Sequence, residues 1–457
     1  MRFSDFCEML SFYSENKNAA LIYEKDGKKA QMSYKELLKA ILCRSDELKK
    51  SGKTAVAVFC SPTVECITEI FAAAKAKMQI TLLDEGLSDE IIEKQIKLSD
   101  SDMIFSADKE TAESFKEYLT DGTENNSGRI LFFTSGTTSM SKAVVLSEKS
   151  LCSSAYNGSC MLPLTNEDTL LCLLPLSHVF GFVCSLLWGL SCGASVALSR
   201  GPRYITEDFD FYKPTVVSIV PMLLGFFIKN RLFNSELKTI LVGAGDCPEV
   251  LLNAAKAAGY RISFGYGLTE TSSGVAISVS GDPHAMEICP DNIIKIAPDG
   301  EILINAPTCI MQGYYKDEKS TGEAIKDGFL YSGDLGYLDE QGKLHITGRK
   351  KEMLVLPSGN KIFLPDYEKT ISDALNNNEL AVILLNSKPV LVINETVKSR
   401  EEILTELSEI MKEIPRSQQI ADIIVTDKPM PRTATGKIKR WEIQKTEEEK
   451  NDNNDKR

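Results

Sequence analysis

The stretch LFFTSGTTSMSKAVVLS, residues 131–147, places hydroxyl side chains and one glycine between two apolar runs, with Lys142 six positions past Gly136. Thr134, Ser135, Thr137, Thr138 and Ser139 surround that glycine. Backbone amides freed by glycine, with hydroxyl donors beside them, form a nest for an anionic oxygen. Such a loop suits phosphates that are wrapped and then released. The spacing approaches that of a P-loop, G-x-x-x-x-G-K-[ST], but Ser141 replaces the second glycine and Ala143 the Mg-binding hydroxyl. Read alone, the loop is equally a polar turn between strands, where Ser, Thr and Gly are common.

Three further sets could carry chemistry. In ISFGYGLTETSS, residues 262–273, a strand ends at Gly265 and Tyr266, Thr269 and Glu270 follow in a glycine-punctuated turn. An aromatic face can stack on a purine, and a hydroxyl can donate to a phosphate. A carboxylate beside phosphates points to Mg2+, a hard cation that prefers oxygen. The alternative is a capped turn in which Thr269 and Glu270 serve the backbone. In GFLYSGDLGYLDEQGKLHITGRKKEML, residues 328–354, Asp334 offers acceptors for two ribose hydroxyls. Arg349 offers a rigid fork of donors. The bland account makes them a turn aspartate and a solvated basic hinge. In PRTATGKIKR, residues 431–440, Lys437 follows a glycine in a loop near the C-terminus, where most lysines are solvated surface charges.

The elements that must position these residues alternate. TAVAVFC, MQITLLD, TLLCLLP, TVVSIVP, TILVGAG and RISFGYG read as apolar strands. Between them lie helical patterns, one opened by a Ser33–Glu36 capping box. Another, residues 248–259, has Pro at its start and Gly just past its end. Strands separated by helices imply mainly parallel sheets covered on both faces. The fold class is therefore α/β: a large N-terminal domain, residues 1–348, and a small mobile α+β domain, residues 349–445. The charged tail, residues 446–457, lacks apolar residues and is expected to be disordered.

Composition narrows the class. The chain has 457 residues, 43% of them apolar, and a net charge of −12, which argues against a general nucleic-acid surface. Twelve cysteines scattered without a C-x-x-C pair, and three histidines, make a zinc site unexpected. Free thiols without a signal-peptide pattern suit a reducing cytoplasm. The apolar segment 170–198 is long enough to span a bilayer. Pro175, His178 and its glycines instead favour a buried strand, a loop and an apolar helix, so no transmembrane segment is expected.

The four sets, in this order, resemble the adenylate-forming superfamily of acyl-CoA synthetases, peptide-synthetase adenylation domains and luciferases. The pattern is closest to the acyl-CoA synthetases and runs from about Ser33 to Arg440. The family's phosphate loop reads roughly TSGTTGxPK, and this chain has TSGTTSMSK. Two departures stand out: Ser139 where the family usually has Gly, and Ser141 where it has Pro.

The resemblance implies that Thr134, Ser135, Gly136, Thr137, Thr138 and Lys142 cradle the ATP phosphates. Tyr266, with Gly267 beside it, stacks on adenine, Thr269 contacts the α-phosphate and Glu270 binds Mg2+. Gly243, Ala244, Gly245 and Asp246 lie along the adenine and acyl pocket. Asp334 holds the ribose with Arg349, Lys351 is the hinge, and Gly359 lines the acceptor tunnel. Lys437 bridges carboxylate and α-phosphate, and His178 sits at the acyl pocket.

The implied reaction is ATP-dependent activation of a carboxylic acid, fatty or aromatic, to an acyl-AMP with release of pyrophosphate. Transfer to a thiol such as coenzyme A follows, and fatty acid metabolism is one expected setting. The alternative is a stand-alone enzyme that loads a phosphopantetheine-bearing acyl carrier protein with an amino or hydroxy acid. A kinase or NTPase using the same loop would give ADP and phosphate instead of AMP and pyrophosphate.

Overall fold

The computed structural model describes residues 1–122, 128–134, 142–245, 247, 249–279, 282, 284–356, 361–395, 397–432 and 438–454. Within these, the chain divides into two compact units. Met1–Thr134, Lys142–Ser332 and Gly336–Ile346 form the larger, and Gly333–Leu335 with the chain from Thr347 onward belong to the smaller.

The larger unit contains a nine-stranded sheet, in the order Glu287–Ile288, Ser273–Ile277, Arg261–Leu268, Thr239–Val242, Val216–Ile219, Thr169–Cys172, Ser195–Leu198, Ala19–Lys25 and Lys28–Ser33. Its middle strands are parallel, as in the pairing of Thr239–Val242 with Arg261–Phe264. Its edges are antiparallel. A six-stranded sheet orders Gly313–Tyr314, Ala143–Ser147, Arg129–Phe133, Gln79–Leu83, Ala55–Phe59 and Met103–Phe105. Here Arg129–Phe133 runs parallel to Gln79–Leu83 and antiparallel to Ala143–Ser147. Every β segment quoted from the sequence above forms a strand at its expected place.

Helices cover these sheets because their sequences carry start signals and one apolar stripe. Tyr34–Lys50 begins with the Ser33–Glu36 capping box and buries Tyr34, Leu37, Ile41 and Leu48 at helical spacing. Val64–Lys75 is capped by Thr63 and buries nearly everything from Cys66 to Ala74. The segment once open to a membrane reading is a strand, a loop and a buried helical run, Val179–Ser191, with a π stretch at Phe182–Leu187. No helix among the described residues is long and apolar enough to cross a membrane. The π stretch directs Phe182 into an aromatic cluster, 6.0 Å from Phe6 and 5.7 Å from Phe132.

The smaller unit is α+β. Its sheet Leu380–Leu385, Lys388–Asn394 and Asp422–Thr426 combines an antiparallel and a parallel pair. The helices Leu364–Leu375 and Arg400–Glu413 share a core of Ile371, Leu375, Ile403 and Leu407 with it. Ser399 and Glu402 form a second capping box.

A helix runs over Arg440–Asn454 and so enters the segment read from composition as a tail, of which residues 455–457 lie outside the described residues. Its start is held by Arg440, 2.7 Å from Glu368, and by the buried side chain of Ile443. Further along, close charge pairs support it, Lys450 with Glu447 at 2.5 Å and Lys445 with Glu449 at 3.9 Å. These charged residues extend a helix already anchored at its start.

Phe182→Ala should destabilise the larger unit by about 3–5 kcal/mol, the usual cost of emptying a fully buried aromatic site. An unchanged urea unfolding transition would show that the cluster is not a structural centre.

Candidate active site

In the larger unit, candidate residues sit at the ends of strands. Arg129–Phe133 and Ala143–Ser147 pair up to Phe133 opposite Ala143, at either side of the hydroxyl-rich segment. Its two ends are clamped: the Thr134 amide donates to the Lys142 carbonyl at 3.0 Å, and the Lys142 amide donates to Thr134 Oγ1 at 3.2 Å. Thr134 Oγ1 therefore accepts at the loop's base, and its hydroxyl proton can still be donated. Ser135, Gly136, Thr137, Thr138, Ser139 and Ser141 lie outside the described residues.

Strand Arg261–Leu268 delivers the second set. Tyr266 is only 8% exposed and belongs to the main core. At Gly267 the backbone passes so close to its neighbour that an added Cβ would fall 1.7 Å from the Ser273 carbonyl oxygen, so only glycine fits. The register shifts at that point, and the strand gives way to the single turn Thr269–Thr271. Thr271, not Thr269 or Glu270, supplies the turn's side-chain bonds: its hydroxyl accepts from the Leu268 amide at 3.0 Å and donates to the Ser273 carbonyl at 3.0 Å. The capped-turn alternative thus holds for a residue that sequence reasoning passed over, and the flanking Thr269 and Glu270 are left for other work.

The Glu270 backbone is fixed by the Met311 amide, which donates to its carbonyl at 2.7 Å. Its side chain accepts, through Oε1, the Tyr314 hydroxyl at 2.7 Å. The Lys142 ammonium stands 4.4 Å from the centroid of the same ring. Burial, then the neighbouring Glu270 charge, pushes the Tyr314 hydroxyl far above the ordinary tyrosine range, so it stays a donor. Tyr314 was not foreseen, although QGYYK, residues 312–316, offered a Gly–aromatic pair as a signal.

Gly243, Ala244 and Gly245 follow strand Thr239–Val242, whose end is held by the Gly243 amide donating to Ile219 O at 3.2 Å. Gly243 is buried beneath the Phe180 ring, and Ala244 takes a left-handed φ of 62°. Asp246 lies outside the described residues.

His178 opens the helical run and is 46% exposed, so it is not a buried core histidine. Its Nε2 lies 3.2 Å from Asp84 Oδ2, and Asp84 immediately follows strand Gln79–Leu83. Asp84 also accepts from the Gly86 amide at 2.9 Å. Chiefly through the bond to His178, and further through Gly86 and Ser177, its carboxyl is held below the ordinary range. Asp84 is a second residue that the sequence did not reveal.

The smaller unit contains Asp334 and Arg349. Asp334 is 5% exposed at its side chain and pairs with Arg349 Nε at 3.1 Å. The two groups expected at one ribose are thus beside each other. Lys351 lies exposed in the short turn Lys350–Glu352 after strand Leu344–Arg349. Gly359 and Lys437 lie outside the described residues.

Among the described residues no cluster of three His, Cys, Asp or Glu side chains could hold a metal ion by itself. A lone carboxylate nevertheless fits Mg2+, which keeps several waters and takes one or two carboxylates together with substrate phosphates. With Oε1 engaged by Tyr314, Glu270 retains acceptor capacity on Oε2.

The family model described as AMP-binding enzyme matches residues 13–315, and the chain belongs to that family. It is 27% identical over 446 aligned positions to a 2-succinylbenzoate–CoA ligase of Bacillus cytotoxicus, covering 88% of this chain and 90% of the relative. It is 29% identical over 338 positions to the ligase of that name from Listeria monocytogenes, covering 68% of each. O-succinylbenzoate coenzyme A synthetase from Bacillus subtilis, solved with AMP, superposes with a TM-score of 0.80 at 22% identity, over 95% of this chain and 97% of that chain. At that identity the likeness shows the fold. The protein is an AMP-forming acid–thiol ligase, and ATP, Mg2+ and coenzyme A are the cofactors of its class.

A group whose folded pKa is depressed gives stability that is present above its unfolded value and lost as pH falls through the folded one. From about pH 4 downward, the ordinary aspartate range, the native chain should therefore lose urea resistance more steeply than Asp84→Asn. Parallel acid limbs would contradict the Asp84–His178 coupling.

Proposed function

We propose that this chain makes the coenzyme A thioester of an aromatic acid of the 2-succinylbenzoate type. The observation that carries the reading is the near full-length likeness to 2-succinylbenzoate–CoA ligases. The apolar side chains packed with Phe180, whose ring lies over Gly243, suit a ring. They suit an aliphatic chain as well, and the likeness to the relatives supports an aryl acid over a fatty one.

The chemistry brings two anions together. A carboxylate oxygen attacks the α-phosphorus of ATP, the bond to the bridging oxygen breaks and pyrophosphate leaves. A thiol sulfur then attacks the acyl carbon, its proton is lost and AMP departs. Glu270 would hold Mg2+, which supplies charge neutralisation at the phosphates when bound. The segment from Thr134 to Lys142 wraps the β- and γ-phosphates, Tyr266 takes the adenine and Thr269 the α-phosphate. Gly243, Ala244, Gly245 and Asp246 border the adenine and acid. Asp334 and Arg349 hold the ribose. His178, oriented by Asp84, faces the acid. Lys437 stabilises the charge that grows between carboxylate and α-phosphate. Lys351 is the hinge about which the C-terminal part, residues 349–445, turns between the half-reactions, and Gly359 leaves room for a pantetheine arm.

Incubating the protein with ATP, Mg2+, coenzyme A and a panel of 2-succinylbenzoate, benzoate, palmitate and phenylalanine tests this reading. AMP and an aryl thioester are expected. Palmitoyl-CoA alone would overturn the aryl assignment, and acylation of a carrier protein but not of coenzyme A would overturn the acceptor.

Lys437→Ala should slow adenylation by about 10²–10³, the effect of losing one transition-state donor, while thiolation of a supplied acyl-AMP continues. The reverse pattern would move Lys437 to the second half-reaction. Ser139→Gly should leave ATP turnover equal or higher, because glycine is the family's usual residue there and restricts the backbone least. A large loss would make Ser139 a phosphate ligand.

A further inference from the structure

We propose that Tyr314 is a positioning residue for the phosphate end of the site, holding the Glu270 carboxylate and the Lys142 ammonium to one ring. The inference rests on the adenylation reading above. Its geometry lies wholly in the larger unit and begins with strand order.

The two-residue strand Gly313–Tyr314 pairs antiparallel with the strand that leaves the hydroxyl-rich loop, with Gly313 opposite Val145 and Tyr314 opposite Val144. Flanking amides lengthen the contact: Gln312 N donates to Val145 O at 2.9 Å, and Tyr315 N donates to Ala143 O at 2.8 Å. One residue earlier, Met311 N donates to the Glu270 carbonyl at 2.7 Å. A five-residue segment, 311–315, is therefore bonded both to the turn that presents Glu270 and to the strand that begins beside Lys142.

The ring's own place is fixed from the other side. The Tyr314 amide donates to Thr321 Oγ1 at 2.8 Å. Gly313 has a φ of +144°, and a Cβ there would lie 3.0 Å from Thr321 Cγ2. Glycine thus permits the approach that turns Tyr314 toward the site.

The half-buried ring then presents two features to two charged groups. Its hydroxyl donates to Glu270 Oε1 at 2.7 Å, and its face lies 4.4 Å from Lys142 Nζ. A hydroxyl–carboxylate bond is charge-assisted and restricts the carboxylate's rotation. Cation–π attraction holds the ammonium without neutralising it. Both groups are thereby ordered before nucleotide arrives, so less freedom is lost when Mg2+ and the outer phosphates bind. AMP carries neither the β- nor the γ-phosphate, so its binding should not draw on this arrangement. A merely structural tyrosine would affect both nucleotides alike or neither.

Calorimetric titration of Mg·ATP and of AMP, with acid withheld, separates these cases for the native chain, Tyr314→Phe and Tyr314→Leu. Tyr314→Phe removes only the hydroxyl and should weaken Mg·ATP binding about tenfold, the scale of one lost bond to a charged group, with AMP binding unchanged. Tyr314→Leu also removes the ring beside Lys142 and should weaken Mg·ATP further, again sparing AMP. An unchanged ratio of the two dissociation constants in Tyr314→Phe would overturn the proposal. A native chain that binds neither nucleotide would overturn the adenylation reading itself, and this inference with it.

Discussion

A carboxylate can attack the α-phosphorus of ATP only where two anions are held close together. Two unit charges 4 Å apart repel by about 4 kcal/mol at an effective dielectric near 20, and a triphosphate carries several. A chain with a net charge of −12 cannot meet that demand through its overall field. Positive potential has to be local, from backbone amides, a few cations and a bound metal ion. On the proposed reading the Lys142–Tyr314–Glu270 group is one such arrangement, a cation and a carboxylate held to the same neutral ring.

The sheets explain how such groups come to lie at loop positions. In open α/β sheets, ligands bind outside the carboxyl ends of parallel strands. Asp84 follows Gln79–Leu83, Thr134 follows Arg129–Phe133, and Gly243 follows Thr239–Val242. The Thr269–Thr271 turn follows Arg261–Leu268. Each of these strands is parallel to a neighbour. The rigid part of each element is apolar and buried, and the chemistry is left to the residue just past its end. Tyr314 is the exception, since it arrives through an edge strand paired antiparallel with Ala143–Ser147.

That exception marks the limit of what sequence could reveal. The strands, the Ser33 capping box and the apolar helix after His178 were legible because each is written in adjacent residues. The order of the four site motifs was legible for the same reason. Tyr314 and Glu270 are separated by 44 positions, and nothing local in either announces the other. Asp84 looks like a loop carboxylate until the fold brings it to His178. Within the turn, sequence could not say which threonine would serve the backbone, and it proved to be Thr271. The helix over Arg440–Asn454 also has a non-local anchor, the Arg440–Glu368 pair. The preference for an aryl acid came from relatives, because apolar side chains around a pocket accept a ring and an alkyl chain alike.

The central claim is that the phosphate loop and its partners serve adenylation. The most direct test is acid-dependent exchange of labelled pyrophosphate into ATP, measured without coenzyme A. Exchange that requires Mg2+ and an acid, strongest with 2-succinylbenzoate and absent without acid, is the expected result. Acid-independent formation of ADP and phosphate, or no exchange with any acid while ATP still binds, would contradict it.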